Sequence, residues 1–271
     1  MTQAPQHTGS PSLTVALGEY DIGWQNPPLS LERAGSLSKE ARAAGARLLA
    51  LPEMSITGFT MEAEKFAEPA NGPSIRSLSR LARENGLWLI AGAPMRDADA
   101  YVNSALVFNP AGEVAASYQK QRLFNYAKET EVYTAGSEPC VVEIDDVSLG
   151  VFICFDLRFP ELFREVRGDV DAFVVIANWP STRQRHWEVL TQARAIENQC
   201  YMIAVNRTGA GGGLDYVGGS VAYDPWGVRC DRQSEGGIRI AEISASEVRR
   251  TRESFPLVNA ADYAPTTRRA R

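Results

Sequence analysis

Histidine is almost absent from this sequence. Of its 271 residues only two are histidine, His7 and His186, and His7 lies in a polar segment near the N-terminus. A Cys-His or Ser-His catalytic pair would therefore have to use His186. Metal sites built from several histidines are excluded, while a site built from carboxylates alone remains open.

Long apolar runs and paired cysteines are also lacking. No uninterrupted apolar run is long enough to span a bilayer, so we expect no membrane partner. The first residues lack the charged start and apolar core of a signal peptide. The four cysteines, Cys140, Cys154, Cys200 and Cys230, are far apart and form no C-x-x-C pair. This pattern indicates reduced thiols in a cytoplasmic protein rather than a disulfide framework or a zinc site.

Positive charge forms no long run in this sequence. The net charge is −5, and arginines are grouped only in short stretches, such as Arg268, Arg269 and Arg271 at the end. Binding to nucleic acid is therefore disfavoured. Residues 1–12 are predicted to be a disordered N-terminal tail, and residues 257–271 a C-terminal extension.

Strands and helices alternate along the chain. A strand at 13–18, a helix at 29–45 and a strand at 47–51 predict a parallel strand pair with a crossover helix. A similar rhythm returns in the second half, and no linker interrupts it. We therefore predict one α/β domain whose layers pack sheet against sheet.

The stretch 147–161 combines a buried strand with a cysteine. Residues 147–153 are apolar and rich in β-branched side chains, which predicts a strand buried on both faces. The strand ends at Cys154, and Pro160 is typical of the first residue of a helix. A cysteine at such a turn suits a nucleophile, because the backbone N–H groups that follow can face an oxyanion. The alternative is that Cys154 is simply a small buried hydrophobic residue.

Three polar residues share this position directly after a predicted strand: Glu53, Lys120 and Asn178. Because histidine is scarce, Glu53 is the natural proton acceptor for a thiol. Lys120 supplies positive charge, which would favour the thiolate and stabilise an oxyanion. Taken alone, a glutamate after a proline is usually a surface turn, and a lysine after a hairpin is usually solvated.

Three segments resemble a known family. Leu-Pro-Glu at 51–53, Lys-Gln-Arg-Leu-Phe at 120–124 and Cys-Phe-Asp-Leu-Arg-Phe-Pro-Glu at 154–161 are similar, in this order, to the signature segments of the nitrilase superfamily, the carbon–nitrogen hydrolases. The resemblance covers residues 13–256, which we take as one carbon–nitrogen hydrolase domain. It implies a four-layer α-β-β-α sandwich of the nitrilase type and assembly into a homodimer or a higher homo-oligomer.

The resemblance also implies the roles of four residues. Glu53 would be the general base, Lys120 the cation that stabilises the oxyanion, and Cys154 the nucleophile. The second glutamate of the family precedes a glycine by a fixed interval, and Glu129 stands at that interval before Gly136. Glu129 would position Lys120 and the leaving nitrogen of the substrate.

Further segments resemble the ω-amidase-like members, which act on small ω-amides of dicarboxylates. These segments are Ala-Asn-Trp-Pro at 177–180, His-Trp at 186–187, residues 193–199 and Asn-Arg at 206–207. Members that hydrolyse deaminated glutathione have a similar pattern. Phe155 is a departure, because many members of these branches have tyrosine there. The substitution removes a hydroxyl group beside Cys154 but keeps the backbone N–H group.

An acidic substrate requires an arginine in the pocket. Arg183, Arg185 and Arg207 are candidates, although each is also consistent with a solvated surface residue. The predicted substrate-binding residues are Phe155, Asn178, Trp179, Arg183 and Arg207.

The predicted reaction is hydrolysis of a small amide to a carboxylate and ammonia through a thioester on Cys154, with no cofactor and no metal. The alternatives within the enzyme class are a deaminated-glutathione amidase, a nitrilase and an N-carbamoyl amidohydrolase. An alternative of another class is a binding protein that keeps the fold without turnover. The intact Glu-Lys-Cys set disfavours this last alternative.

Other features near the site are predicted to be structural. Asp156 and Arg158 are expected to brace the turn around Cys154. The glycine-rich residues 209–213 do not lead into a helix or a P-loop lysine, so we predict a mobile loop near the pocket rather than a phosphate site. Trp226 is expected in a turn with its ring packed inward.

Overall fold

Two β-sheets packed face to face form the centre of the molecule. The computed structural model describes residues 12–257, so the predicted tails, apart from Ser12 and Leu257, lie outside the described residues. The strands of the first sheet are β1 (Leu13–Leu17), β2 (Leu48–Ala50), β3 (Trp88–Asp97), β4 (Ala100–Phe108), β5 (Val114–Gln119), β13 (Arg232–Gln233) and β14 (Arg239–Ile243). Their order is β13-β14-β1-β2-β3-β4-β5. Strands β1, β2 and β3 are parallel, as the crossover pattern predicts.

The second sheet repeats this parallel centre. Its strands are β6 (Val141–Ile144), β7 (Val147–Ile153), β8 (Ala172–Ile176), β9 (Tyr201–Val205) and β12 (Val221–Tyr223), in the order β12-β9-β8-β7-β6. Strands β7, β8 and β9 are parallel. The carboxyl ends of parallel strands are where open α/β sheets place their ligands, so residues directly after β7 and β8 are well placed for chemistry.

Helices cover the outer face of each sheet. They are α1 (Pro27–Ala43), α2 (Ala63–Phe66), α3 (Pro73–Asn85), α4 (Pro160–Val166), α5 (Gln184–Asn198) and α6 (Ala245–Ser254). Helices α1 and α3 bury Ala34 and Leu78 with Leu49 of β2 in one core. Leu48 and Ala50 of the same strand belong to the core shared with the second sheet, where α4 and α5 also pack. The predicted four-layer α-β-β-α sandwich is thereby confirmed.

The glycine-rich segment is a β-hairpin, which corrects the prediction of a loop. Strands β10 (Thr208–Gly211) and β11 (Leu214–Val217) pair antiparallel. Gly212 and Gly213 form the two-residue connection with φ values of +60° and +77°. Two positive φ values in a two-residue connection match the twist of paired strands, and glycine adopts them without a steric penalty.

Trp226 is also corrected by the structure. Its side chain is half exposed and stacks on Phe255, with ring centroids 5.6 Å apart, rather than packing inward. Asp224 explains the outward direction, because its carboxylate accepts hydrogen bonds from the N–H groups of Trp226 and Val228 and holds the turn at the surface.

Candidate active site

Glu53 lies just beyond β2 and is completely buried. The backbone of Gly92 in β3 packs against this segment, and the N–H group of Ser55 donates to the Gly92 carbonyl at 2.8 Å. A Cβ atom at Gly92 would lie 2.4 Å from the Met54 nitrogen and 2.6 Å from the Glu53 Cα. Only glycine allows this approach, which fixes the backbone that carries Glu53.

Lys120 connects Glu53 to the second predicted glutamate. It directly follows β5, and its N–H group donates to the Asn103 carbonyl in β4 at 2.9 Å. The Lys120 Nζ lies 2.8 Å from Glu53 Oε1, and 3.1 and 3.0 Å from Glu129 Oε1 and Oε2. None of these three charged side chains reaches solvent. One cation therefore compensates two buried carboxylates.

Glu129 has every acceptor position filled. Its Oε1 accepts from Lys120 and, at 2.9 Å, from the side-chain amide of Asn103. Its Oε2 accepts from Lys120 and, at 2.6 Å, from the N–H group of Phe124. A carboxylate oxygen has two lone pairs, so Glu129 has none free for another donor.

Glu53 is bonded less tightly at its second oxygen. Its Oε1 accepts from Lys120 and, at 2.8 Å, from Asn103. Its Oε2 accepts from the N–H group of Asn178 at 2.9 Å and, at a long 3.5 Å, from the Asn178 side-chain amide. The Cys154 Sγ lies 4.0 Å from the Asn178 carbonyl oxygen, so the thiol is next to the residue that contacts this oxygen of Glu53.

Cys154 occupies a sharp turn at the end of β7, with a φ of +46°. Positive φ is uncommon for a residue with a side chain, and such strained positions often mark functional sites. Asp156 holds the turn, since its carboxylate accepts from the N–H groups of Ile153 and Arg122 and from the Tyr118 hydroxyl, each at 2.9 Å. The predicted bracing role of Asp156 is thus confirmed.

The thiol is held in its protonated form. Burial raises the pKa of Cys154 well above its ordinary value, and the charge of Glu53 and the hydrogen bond to it add to the rise. The charge of Lys120 acts in the opposite direction without offsetting these effects. Lys120 thus acts in the predicted direction, towards the thiolate, but burial and Glu53 outweigh it, so a base that removes the proton would be needed for attack.

Lys120 itself remains charged. Burial alone would lower the pKa of its ammonium group, but the carboxylates of Glu129 and Glu53 outweigh burial and raise it above the ordinary value. The ammonium group has three N–H donors, and its two contacts with Glu129, at 3.1 and 3.0 Å, can share one of them. The third donor can bind an oxyanion that forms beside Cys154.

A pocket opens above these residues, with about 460 Å³ of empty space that includes its mouth. This volume lies in the range of small-molecule sites. Four of the five predicted substrate-binding residues line it, together with further aromatic, apolar and arginine side chains. The first group is Phe155, Asn178, Trp179 and Arg183, and the second is Phe59, Arg158, Leu214 and Tyr216.

Arg207, the fifth predicted substrate-binding residue, does not line the pocket. Its side chain is fully buried behind the β10–β11 hairpin, where it donates to backbone carbonyls and to Asp21. Arg185 is also outside the pocket, because it is exposed and pairs with Glu188.

Sequence reasoning missed three residues that the structure places at the site. Asn103 bridges Glu53 and Glu129, but within a predicted strand it carried no signal beyond being a polar residue. Tyr216 lay just beyond the segment predicted to be a mobile loop. Arg158 was expected to brace the Cys154 turn, whereas it faces the pocket and stacks over the Trp179 ring at 4.6 Å.

Residues 12–257 lack two features of other classes of protein. Within this range no group of three or more histidine, cysteine, aspartate or glutamate side chains is arranged to hold a metal ion. No helix in the same range has the length and apolar character needed to cross a membrane.

The sandwich and the pocket with its buried Glu-Lys-Cys cluster define an enzyme that hydrolyses carbon–nitrogen bonds other than peptide bonds. A model of the carbon-nitrogen hydrolase family matches residues 14–253, and the chain belongs to this family. This finding confirms the resemblance that the three signature segments carry.

Individual relatives agree with this assignment. The chain is 34% identical over 250 residues to a 2-oxoglutaramate amidase of Bacillus subtilis (strain 168), covering 90% of this chain and 95% of that protein. It is 36% identical over 255 residues to the omega-amidase YafV of Yersinia enterocolitica, covering 93% and 97%. Among solved structures, XC1258 from Xanthomonas campestris, a CN-hydrolase superfamily protein with an arsenic adduct in its active site, superposes with a TM-score of 0.83 at 30% identity. That match covers 91% of this chain and 96% of XC1258.

Proposed function

We propose that this protein hydrolyses a small ω-amide of a dicarboxylate or keto-dicarboxylate to the carboxylate and ammonia. The observation that carries the proposal is that Cys154, Glu53 and Lys120 line one pocket, with the Lys120 Nζ 2.8 Å from Glu53 Oε1. The names of the relatives in Bacillus subtilis and Yersinia enterocolitica support the substrate class.

In the first half of the proposed reaction, the Cys154 sulfur attacks the amide carbonyl carbon and its proton moves to Glu53. The carbonyl oxygen becomes an oxyanion, which accepts hydrogen bonds from Lys120 and from the backbone N–H group of Phe155. Glu53 then gives the proton to the nitrogen, the carbon–nitrogen bond breaks, and ammonia leaves. The acyl group remains on Cys154 as a thioester.

In the second half, water replaces ammonia. Glu53 accepts a proton from this water as its oxygen attacks the thioester carbon, and the same donors hold the new oxyanion. The carbon–sulfur bond then breaks, the carboxylic acid product leaves, and Cys154 recovers its proton from Glu53. We assign Glu129 the role of holding Lys120, because all of its acceptor positions are already filled.

An acidic end of the substrate is proposed to bind Arg158 and Arg183. Both guanidinium groups line the pocket, and within residues 12–257 neither forms an ion pair with a carboxylate. Burial lowers the pKa of Arg158, and the charge of Arg183 lowers it further, so two uncompensated cations face the same space. A substrate carboxylate would neutralise them.

The first experiment measures ammonia release from α-ketoglutaramate, succinamate and deaminated glutathione. Wild type should turn over one of the first two, and Cys154→Ala should abolish it. Cys230→Ala is the matched control, since this cysteine lies outside the pocket and its loss should leave the rate unchanged.

Other outcomes would assign other functions. Preference for deaminated glutathione, a nitrile or an N-carbamoyl compound would keep the nucleophile and replace the substrate class. No turnover of any compound, with Cys154 unreactive to iodoacetamide, would favour a binding protein without catalysis.

We also propose that the chain is a homodimer of the cytoplasm. The four cysteines are free thiols, which supports a reducing compartment. An apolar face formed by Ile196 of α5, Trp226 and Phe255 is exposed to solvent, and such faces mark protein contacts. Sedimentation of wild type at twice the monomer mass, and of Trp226→Glu at the monomer mass, is the expected result; a monomeric wild type would exclude the dimer.

A further inference from the structure

Tyr216 presents an unused hydroxyl group to the pocket. It is the one buried residue of β11, and with Leu214 it closes one wall beside Cys154. The phenol group forms no hydrogen bond with any protein group in the described part of the chain. The phenol oxygen is open to the space of the pocket, so a bound ligand can replace water as its hydrogen-bond partner.

Arg207 lies under the Tyr216 ring. Its guanidinium carbon is 4.5 Å from the ring centroid, which is within the range of a cation–π contact. The guanidinium donates to the carbonyls of Thr208, Ala210 and Ile22 at 3.0, 3.1 and 2.9 Å. It therefore ties the base of the β10–β11 hairpin to the chain beyond β1 and fixes the ring that the hairpin carries.

Glycine at two neighbouring positions leaves room for the Arg207 side chain. A Cβ atom at Gly58 or at Gly211 would lie 3.0 or 3.1 Å from Arg207 Nη1 and closer still to the Trp24 ring. A fully buried cation is expensive unless it is well bonded. Its placement under Tyr216, away from the pocket, indicates a role in orienting that ring.

The charges around Tyr216 define what its hydroxyl can do. Burial raises the pKa of Tyr216 to about 12; Arg207 and Arg183 lower it, whereas Cys154 and Glu53 raise it. The hydroxyl thus remains a proton donor at neutral pH. The charges of both Cys154 and Arg183 act on this hydroxyl group.

We infer that the Tyr216 hydroxyl donates a hydrogen bond to an oxygen of an acidic substrate bound between Cys154 and Arg183, and that Arg207 is a positioning residue that acts through Tyr216. This inference rests on the proposed function for its substrate class. It also reinterprets Arg207, which contributes to substrate binding without touching the substrate.

The test measures binding without turnover. Succinate, the product expected from succinamate, should protect Cys154 from iodoacetamide, and the alkylated Cys154 peptide is quantified by mass spectrometry. Tyr216→Phe should raise the succinate concentration for half protection by about tenfold or more, the loss expected for a hydrogen bond to a charged group. It should also raise KM for succinamate with little change in kcat. Tyr126→Phe, at an exposed tyrosine, is the matched control and should leave both values unchanged.

A double-mutant cycle tests the positioning role. Arg207→Lys keeps the positive charge but loses the planar guanidinium group. It should weaken the protection by succinate several-fold. Its unfolding curve should show that the variant is still folded under the conditions of the assay. In the Tyr216→Phe background the same substitution should have almost no further effect. Additive effects would show that Arg207 acts independently and would overturn its role.

The outcomes separate this inference from the proposed function. If no amide is hydrolysed but succinate protects wild type and not Tyr216→Phe, the proposed function fails and the inference stands. If turnover is normal and Tyr216→Phe is protected like wild type, the inference fails and the proposed function stands. Absence of protection in wild type would overturn the inference as well.

Discussion

Replacing Lys120 by methionine tests the buried charge cluster most directly. Methionine has nearly the same length, so the packing changes little while the only cation among Glu53, Lys120 and Glu129 is lost. The two carboxylates would then face each other across the single side-chain amide of Asn103, which donates to both at 2.8 and 2.9 Å. Neither carboxylate reaches water, so solvent cannot take the place of the ammonium group.

The magnitude follows from the two ion pairs. Breaking a buried pair by removing one partner costs about 3–5 kcal/mol, because a charge is left uncompensated. A domain of this kind has roughly 5–15 kcal/mol of stability in total, so Lys120→Met should lose a large part of it. The loss is limited because one carboxylate can take up a proton when the variant folds.

Uptake of that proton makes the stability of the variant depend on pH in a definite direction. A folded state that binds one more proton than the unfolded chain loses stability as pH rises, by about 1.4 kcal/mol per pH unit. Urea unfolding of Lys120→Met between pH 5.5 and 8 should therefore show a steeper decline than that of wild type. Adding Glu129→Gln should restore much of the stability at pH 8, because it removes one of the two opposing charges.

Lys65→Met is the matched control. Lys65 is mostly exposed and lies 3.7 Å from Glu62, so its loss should cost at most about 1 kcal/mol and should not depend on pH in this way. If Lys120→Met unfolds at the same urea concentration as wild type at pH 8, the cluster is not held by charge compensation and the assignment of Lys120 as the shared counter-ion is refuted.

Two further predictions concern the backbone around the site. Gly92→Ala should lower the urea midpoint and the amidase rate together, because its Cβ would lie 2.4 and 2.6 Å from backbone atoms of Met54 and Glu53. Overpacking of this kind costs about 1–3 kcal/mol or more. An unchanged urea midpoint would contradict the close approach of the two segments. Burial raises the pKa of Asp156 to about 6, so the stability that its protonated form contributes is present below about pH 4 and is lost as pH rises through 6. Asp156→Asn cannot titrate, so between pH 4 and 7 its unfolding free energy should gain up to about 3 kcal/mol relative to wild type, and a constant difference would refute the raised pKa.

The sequence was informative where the residues of the site belong to short, recognisable stretches of chain. Glu53, Lys120 and Cys154 each follow a strand, which made all three candidates. Glu53 and Lys120 lie on the first sheet and Cys154 on the second, so it was the signature segments that predicted that the three meet. The resemblance to the family also predicted Glu129, from the number of residues between it and Gly136. These are properties of short stretches of chain, which a sequence records directly.

The errors arose where a contact joins distant parts of the chain. Asn103 has its bridging role because β4 passes between two glutamates from other segments, and nothing in its own strand indicates this. Arg207 was correctly singled out as unusual, but whether its side chain enters the pocket or lies behind the hairpin depends on Tyr216 and Asp21. The hairpin itself was missed because glycine marks both loose loops and tight two-residue turns.

The different bonding of the two glutamates explains why the site needs both. In the proposed reaction, the base needs an oxygen near the thiol that can take up the proton. Glu53 Oε2 carries one short hydrogen bond and one at 3.5 Å, whereas each oxygen of Glu129 accepts two bonds of 3.1 Å or less. A single glutamate would have to hold Lys120 and exchange protons with Cys154, and each protonation would weaken its ion pair with the lysine. With Glu129 saturated by Lys120, Asn103 and Phe124, the ammonium group keeps one carboxylate partner throughout the proton transfer. In the proposed reaction, Lys120 therefore stays charged and in place while Glu53 changes its protonation state.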